Sequence, residues 1–231
     1  MNREIRKAIF EAVDIYPVTC RKLSAGRSNE EVLEGVLEGG ARIVQLREKE
    51  SSSRELYELA RRFREITARA GVLLIINDRI DIALAVEADG VHLGQDDLPI
   101  PVARKLGPEL ILGASTHSLE EALRAQDEGA DYVNIGPIFQ TSTKEGVSGF
   151  LGPEAISAIS PSLRIPFTVM GGIHARNLEE VLEHGARRVA MVTEITQAPD
   201  IAEAVRELRR TILEFRNTPE EASPGSRDVG R

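Results

Sequence analysis

Along the chain, short runs of crowded β-branched and aliphatic residues are each followed by a stretch in which apolar residues recur every three or four positions. The short runs are Ile15 to Thr19, Ile43 to Leu46, Leu73 to Ile76, Val91 to Leu93, Leu110 to Leu112, Tyr132 to Ile135, Phe167 to Met170 and Val189 to Val192. They predict eight strands. The intervening stretches include Glu30 to Leu37, Arg54 to Ala70, Leu119 to Glu128, Asn177 to Glu183 and Ile201 to Phe215, and they carry the period of amphipathic helices. Such alternation predicts an α/β fold with a parallel sheet. Eight units joined by right-handed crossovers close on themselves, so the expected fold is a single (β/α)8 TIM barrel.

A recurring phrase precedes several strands: Glu38-Gly39-Gly40-Ala41, Glu87-Ala88-Asp89-Gly90, Glu128-Gly129-Ala130-Asp131 and Glu183-His184-Gly185-Ala186. Glycine there can take the left-handed conformation that ends a helix and turns the chain toward the barrel floor. An extra N-terminal helix, roughly Arg3 to Val13, either plugs the barrel bottom or covers an edge. The barrel domain is assigned to residues 1–216. The tail, 217–231, is rich in Pro, Gly, Ser and charge and is expected to be disordered.

A length of 231 residues suits one domain with a core large enough for a deep pocket. Twenty-nine Lys and Arg against 37 Asp and Glu give a net charge of -8, with the basic residues scattered. That argues against nucleic acid, and requires any polyanionic substrate to find a locally positive site. The N-terminus lacks a signal-peptide apolar region and the longest aliphatic run, Val72 to Ile76, is too short to span a bilayer, so no membrane association and a cytoplasmic setting are expected. The lone Cys20 can form neither an internal disulfide nor a zinc motif, and reads as a strand-end residue. A homo-oligomer is compatible with the sequence, which does not set the number of copies.

The unusual polar clusters fall just past the C-terminal ends of the expected strands, where TIM barrels build active sites. Gln45-Leu46-Arg47-Glu48-Lys49 closes the second strand, and alternation should aim Gln45, Arg47 and Lys49 to one side and Leu46 to the other. Arg offers a planar fork for phosphate oxygens and Lys a compact charge. Asn77-Asp78 ends the third strand and Gly94-Gln95-Asp96-Asp97 the fourth. Aspartates from adjacent loops could supply oxygen ligands to a hard cation, or each could cap the following helix. Ser115 could donate to phosphate or belong to a cap before Leu119. After the sixth strand, Gly136 to Lys144 forms a polar loop, and the glycine-containing Glu145 to Phe150 suits a lid. Gly171-Gly172 and Val192-Thr193 follow strands seven and eight, where this fold often binds phosphate through backbone N–H groups. His92 and His117 read as structural, and His174 and His184 have no evident constellation.

Taken in order, Gln-Leu-Arg-Glu-Lys, Asn-Asp-Arg, His-Leu-Gly-Gln-Asp-Asp, Gly-Ala-Ser, Gly-Pro-Ile-Phe-x-Thr-x-Thr-Lys and Gly-Gly-Ile resemble the thiamine phosphate synthase family from about Tyr16 to Ala204. The resemblance implies a transferase of thiamine biosynthesis. It would condense hydroxymethylpyrimidine diphosphate with hydroxyethylthiazole phosphate, or its carboxylated form, releasing diphosphate. It implies that Gln45, Arg47, Lys49, Asn77, Ser115 and Lys144 bind the pyrimidine diphosphate, with Asp78 and Asp97 holding Mg²⁺ on it. Thr141, Thr143, Gly172, Val192 and Thr193 would bind the thiazole phosphate, and Leu46, Glu48 and Ser142 complete the binding segments. Arg47, Lys49 and Lys144 would be catalytic, stabilising the departing charge while the thiazole nitrogen captures a pyrimidine carbocation. Two positions depart from the family pattern: Cys20 stands where aspartate is common, and Thr193 where serine is common.

Two other readings compete. A related thiazole tautomerase resembles this pattern but has degraded metal motifs and a histidine where this chain has Pro137. A non-catalytic phosphate-ligand sensor would keep the binding groups without turnover.

Overall fold

The computed structural model describes residues 1–141 and 149–217. Ser142, Thr143, Lys144, most of the expected lid and the tail from residue 218 onward lie outside the described residues. The strands are β1 (Ile15–Pro17), β2 (Ile43–Leu46), β3 (Leu73–Asn77), β4 (Gly90–Leu93), β5 (Ile111–Thr116), β6 (Tyr132–Ile135), β7 (Phe167–Val169) and β8 (Val189–Met191). All pair in parallel in sequence order, β8 returns to β1 through Ile15 opposite Val189, and a Val18 to Gln45 bridge joins the β1 end to β2. The sheet is therefore closed, and the TIM-barrel expectation holds.

Helices follow the strands: α2 (Asn29–Glu38), α3 (Ser53–Ala70), α4 (Ile80–Ala85), α5 (Ile100–Leu106), α6 (Leu119–Asp127), α7 (Glu154–Ile159), α8 (Leu178–Glu183), and α9 (Thr193–Thr196) with α10 (Ile201–Asn217), preceded by α1 (Arg3–Glu11). Asn217, assigned above to the tail, is the last residue of α10. Ser28 and Ser52 start α2 and α3 with capping boxes to Glu31 and Glu55, satisfying donors that a helix N-terminus otherwise leaves open. Among the described residues no helix is long and apolar enough to cross a membrane.

Period-two alternation divides the strand side chains into two buried sets. Val44, Leu46, Leu74, Ile76, Val91, Leu93, Leu112, Val133 and Val189 pack outward with the helices in the larger core. Ile43, Leu73, Ile75, Ile111, Tyr16 and Tyr132 form an inner cluster with Phe10 of α1. Phe10 stacks on Tyr132 with ring centroids 4.3 Å apart. The helix therefore plugs the barrel floor, which settles the choice the sequence left open.

Ion pairs tie the floor together. Asp89 accepts from Arg6, Arg64 and the Leu74 N–H, and Asp131 accepts from Arg3, Arg104 and the Leu112 N–H. Three of the four helix-ending phrases behave as expected, with Gly40, Gly129 and Gly185 at positive φ. The fourth does not: Glu87 takes the left-handed turn at φ 55, and Gly90 is the first residue of β4. A Cβ on Gly90 would stand 2.4 Å from the Ile111 carbonyl oxygen, so glycine there serves close strand packing.

Candidate active site

The inner face of the barrel changes character along its axis. Apolar residues fill the floor, whereas Gln45, Asn77, His92, Ser115 and Asn134 lie at the upper register and line a cavity of about 340 Å³ at the C-terminal mouth. β3 and β7 are four strands apart in a closed eight-stranded sheet, so their loops form opposite walls.

On the β2 to β4 wall, Arg47, Lys49, Asp78 and Asp97 all line the cavity. Lys49 Nζ lies 3.1 Å from Asp78 Oδ2. Asp78 is held at φ 61, and the Arg79 N–H reaches back across it to the Asn77 carbonyl at 2.7 Å. A non-glycine residue in that region is strained, and such strain collects where a side chain must be aimed. Neither aspartate caps a helix: the N-cap residues of α4 and α5 are Arg79 and Pro99. Asp97 Oδ2 accepts from the Gly94 N–H at 2.6 Å while its carboxyl also faces that of Asp78. Burial, and then the neighbouring Asp78 charge, push the Asp97 carboxyl above the usual carboxylate range, with the Gly94 N–H opposing them. Two facing carboxylates fit a hard divalent cation. Among the described residues no group of three or more His, Cys, Asp or Glu is arranged to hold a metal, and oxygens of substrate and water could complete the shell that the two carboxylates begin.

Arg47 Nη1 lies 3.6 Å from the Cys20 sulfur, and its backbone N–H donates to Thr19 Oγ1 at 3.2 Å. Position 20, one of the departures noted above, thus supports the guanidinium directly. Leu46 and Glu48 are not brought to the cavity. Leu46 points outward into the helix-facing core, and Glu48 Oε1 accepts from the Arg21 N–H and from Asn29 Nδ2, pinning the loop after β1. Their place in the binding set followed from belonging to the segment, and the alternation that aims Arg47 inward turns them away.

On the opposite wall, Thr141, Gly172, Val192 and Thr193 all line the cavity. The loops after β7 and β8 are joined by Glu194, which takes His174 Nδ1 at 2.7 Å and the Ala175 N–H at 3.0 Å. Several lining residues escaped the sequence reading, among them the strand residues Asn134 and His92. Asn134 receives a hydrogen bond from Thr168 on Oδ1, which leaves its amide N–H groups for the cavity side. His92, read as structural, lines the cavity and bonds Tyr132 and Ser115. Strand parity carried the signal for both, since each shares the inward register of Gln45 and Ser115.

Fold and site together define a TIM-barrel enzyme with a charged small-molecule cavity at its C-terminal mouth. A family model described as thiamine monophosphate synthase matches residues 15–195. The thiamine-phosphate synthase of Moorella thermoacetica is 48% identical over 204 residues, covering 88% of this chain and 97% of that protein. That of Dictyoglomus thermophilum is 43% identical over 218 residues, covering 94% and 98%. The solved thiamine phosphate pyrophosphorylase of Pyrococcus furiosus superposes with a TM-score of 0.82 at 38% identity, covering 91% of this chain and 98% of that one. The chain belongs to the thiamine monophosphate synthase family.

Proposed function

We propose that the protein condenses hydroxymethylpyrimidine diphosphate with hydroxyethylthiazole phosphate to give thiamine phosphate and diphosphate. The observation that carries this reading is the meeting of Arg47, Lys49, Asp78 and Asp97 on one cavity wall, opposite the Gly172 and Thr193 loops. Asp78 and Asp97 would hold Mg²⁺, which when bound lends Lewis-acid charge to the diphosphate oxygens. Arg47 would clamp the diphosphate with its planar fork. Lys49 would shift from Asp78 to the leaving group as negative charge develops there. Gln45, Asn77 and Ser115 would orient the pyrimidine diphosphate, and Lys144 would add a second ammonium. The loops bearing Thr141, Thr143, Gly172, Val192 and Thr193 would fix the thiazole phosphate so that its nitrogen faces the methylene carbon.

The C–O bond to diphosphate breaks first and the thiazole nitrogen captures the resulting cation, so no protein nucleophile is needed. Pro137 on the cavity wall and the facing aspartate pair argue against the isomerase reading. Phosphorylated small-molecule substrates and a lone free cysteine fit a cytoplasmic setting.

The test is mass-spectrometric detection of thiamine phosphate after mixing the protein with both substrates, with magnesium or with EDTA. Magnesium-dependent product is expected; folded protein that returns both substrates unchanged with magnesium present would reject the reading. A pH dependence follows from Asp97. Its raised pKa means that the carboxylate needed by the cation is lost at a higher pH than for an ordinary aspartate. The half-saturating magnesium concentration should therefore climb as pH falls toward the upper carboxylate range, and a flat profile there would remove Asp97 from the metal site.

A further inference from the structure

A chain of hydrogen bonds crosses the barrel interior beneath the cavity. Gln45 Nε2 donates to the Tyr16 hydroxyl at 3.0 Å, and the Tyr16 and Tyr132 hydroxyls are 3.0 Å apart. The Tyr132 hydroxyl lies 3.0 Å from His92 Nδ1, and His92 Nε2 lies 3.0 Å from Ser115 Oγ. Both ends, Gln45 and Ser115, line the cavity, while Tyr16 and Tyr132 are sealed at 1% and 0% exposure. Gly113 leaves the space for the central bond: a Cβ there would stand 2.4 Å from the Tyr132 hydroxyl and 2.5 Å from His92 Nδ1.

Counting protons gives the chain a direction. Burial pushes both phenols up, so each keeps its single proton. Tyr16 accepts from Gln45, and its remaining partner among the described residues is Tyr132, so its proton goes to Tyr132. Tyr132, already accepting, passes its own proton toward His92 Nδ1. An imidazole that accepts at Nδ1 carries its proton on Nε2 and donates it to Ser115 Oγ, leaving the serine proton for a ligand. At the other end, Gln45 has committed an N–H to Tyr16 and keeps its amide oxygen.

We propose that Tyr132 and His92 are positioning residues that fix the hydrogen-bonding sense of the cavity, making Ser115 a donor and Gln45 an acceptor. The proposal rests on the reading above, in which Ser115 meets a phosphate oxygen, an atom that only accepts. Buried chains of this kind hold their polarity because reversing one member reverses all. The opposite polarity would turn the Gln45 amide around and commit the Ser115 proton to His92, leaving none for the phosphate.

The test combines the histidine tautomer with kinetics on the full-length protein. Two-bond ¹H–¹⁵N spectra of ¹⁵N-histidine protein, with His92 assigned by signal loss in His92→Gln, should show a neutral ring protonated on Nε2. Tyr132→Phe, which removes the donor to Nδ1, should lose that tautomer. Ser115→Ala and Tyr132→Phe should each lower kcat/KM for the pyrimidine diphosphate by about tenfold or more, the range for a hydrogen bond to a charged group. The KM for the thiazole phosphate should stay unchanged. The double variant should fall within about twofold of Ser115→Ala alone, because both changes remove the same donor. A ring protonated on Nδ1, an imidazolium, or fully additive losses would overturn the proposal. Should Tyr132→Phe fail to fold, the wild-type tautomer still decides the polarity. Inactive wild type with the Nε2 tautomer would reject the proposed reaction while upholding the polarity of the chain.

Discussion

Lys49→Ala is expected to lower the rate of thiamine phosphate formation by roughly 10²-fold or more, the loss typical of removing one donor to charge that develops in the transition state. Lys49 Nζ sits 3.1 Å from Asp78 Oδ2, on the wall where the proposed diphosphate would leave. Its charge is partly neutralised before substrate arrives, so its interaction should strengthen as the C–O bond breaks. The loss should therefore appear mainly in kcat. Asp78→Ala should cost a comparable factor by a different route. The left-handed turn at Asp78 aims its carboxylate at the Asp97 side of the cavity, and alanine would keep the strained backbone without the ligand. Its loss should be relieved in part by high magnesium, which Lys49→Ala should not be. Single-turnover rates across a magnesium titration separate the two, and near-normal turnover by both variants would reject their assigned roles.

Asp89→Ala should destabilise the protein by about 3–5 kcal/mol, the range for leaving one partner of a buried ion pair uncompensated. Asp89 is 1% exposed and Arg6 is 7% exposed, so neither water nor another carboxylate replaces the bond from Arg6 Nε. The same substitution frees Arg64 and leaves the Leu74 N–H without its side-chain acceptor. Urea unfolding should show a lower midpoint with an unchanged slope. The site lies at the other end of the barrel, so kcat measured on the remaining folded protein should hold. A midpoint within error of wild type would mean that α1 is not held to the floor through Arg6.

The mouth variants and the floor variant probe opposite ends of the barrel, and the sequence revealed those ends unequally. Eight apolar runs with helical stretches between them were enough to set a parallel closed sheet, because period-two and period-3.6 burial are local properties of the chain. The same alternation aimed Gln45, Arg47 and Lys49 toward the mouth and Leu46 away from it. Strand ends were less legible: β5 continues to Thr116, since its polar last residues, Ser115 on the inner face and Thr116 on the outer, break the hydrophobic pattern without breaking the ladder.

Site residues on separate loops could be nominated one by one from the sequence. Their convergence could not, because it depends on strands that are neighbours only once the sheet forms. Asp78 and Asp97 read equally well as helix caps until the strained turn and the Gly94 contact showed that they face each other. Glu48 kept its place in a polar segment until its bonds to Arg21 and Asn29 turned it to another loop. His92, Tyr132 and Tyr16 lie far apart in sequence on three different strands, with nothing local to mark them as one hydrogen-bonded chain. By itself, then, the sequence determined the barrel, the family and the loops that carry the chemistry, since each follows from short local patterns and their order along the chain. Which carboxylates meet, where α1 docks and which buried hydroxyls share protons were decided by tertiary structure, because those are distances between segments that only closure of the sheet makes short.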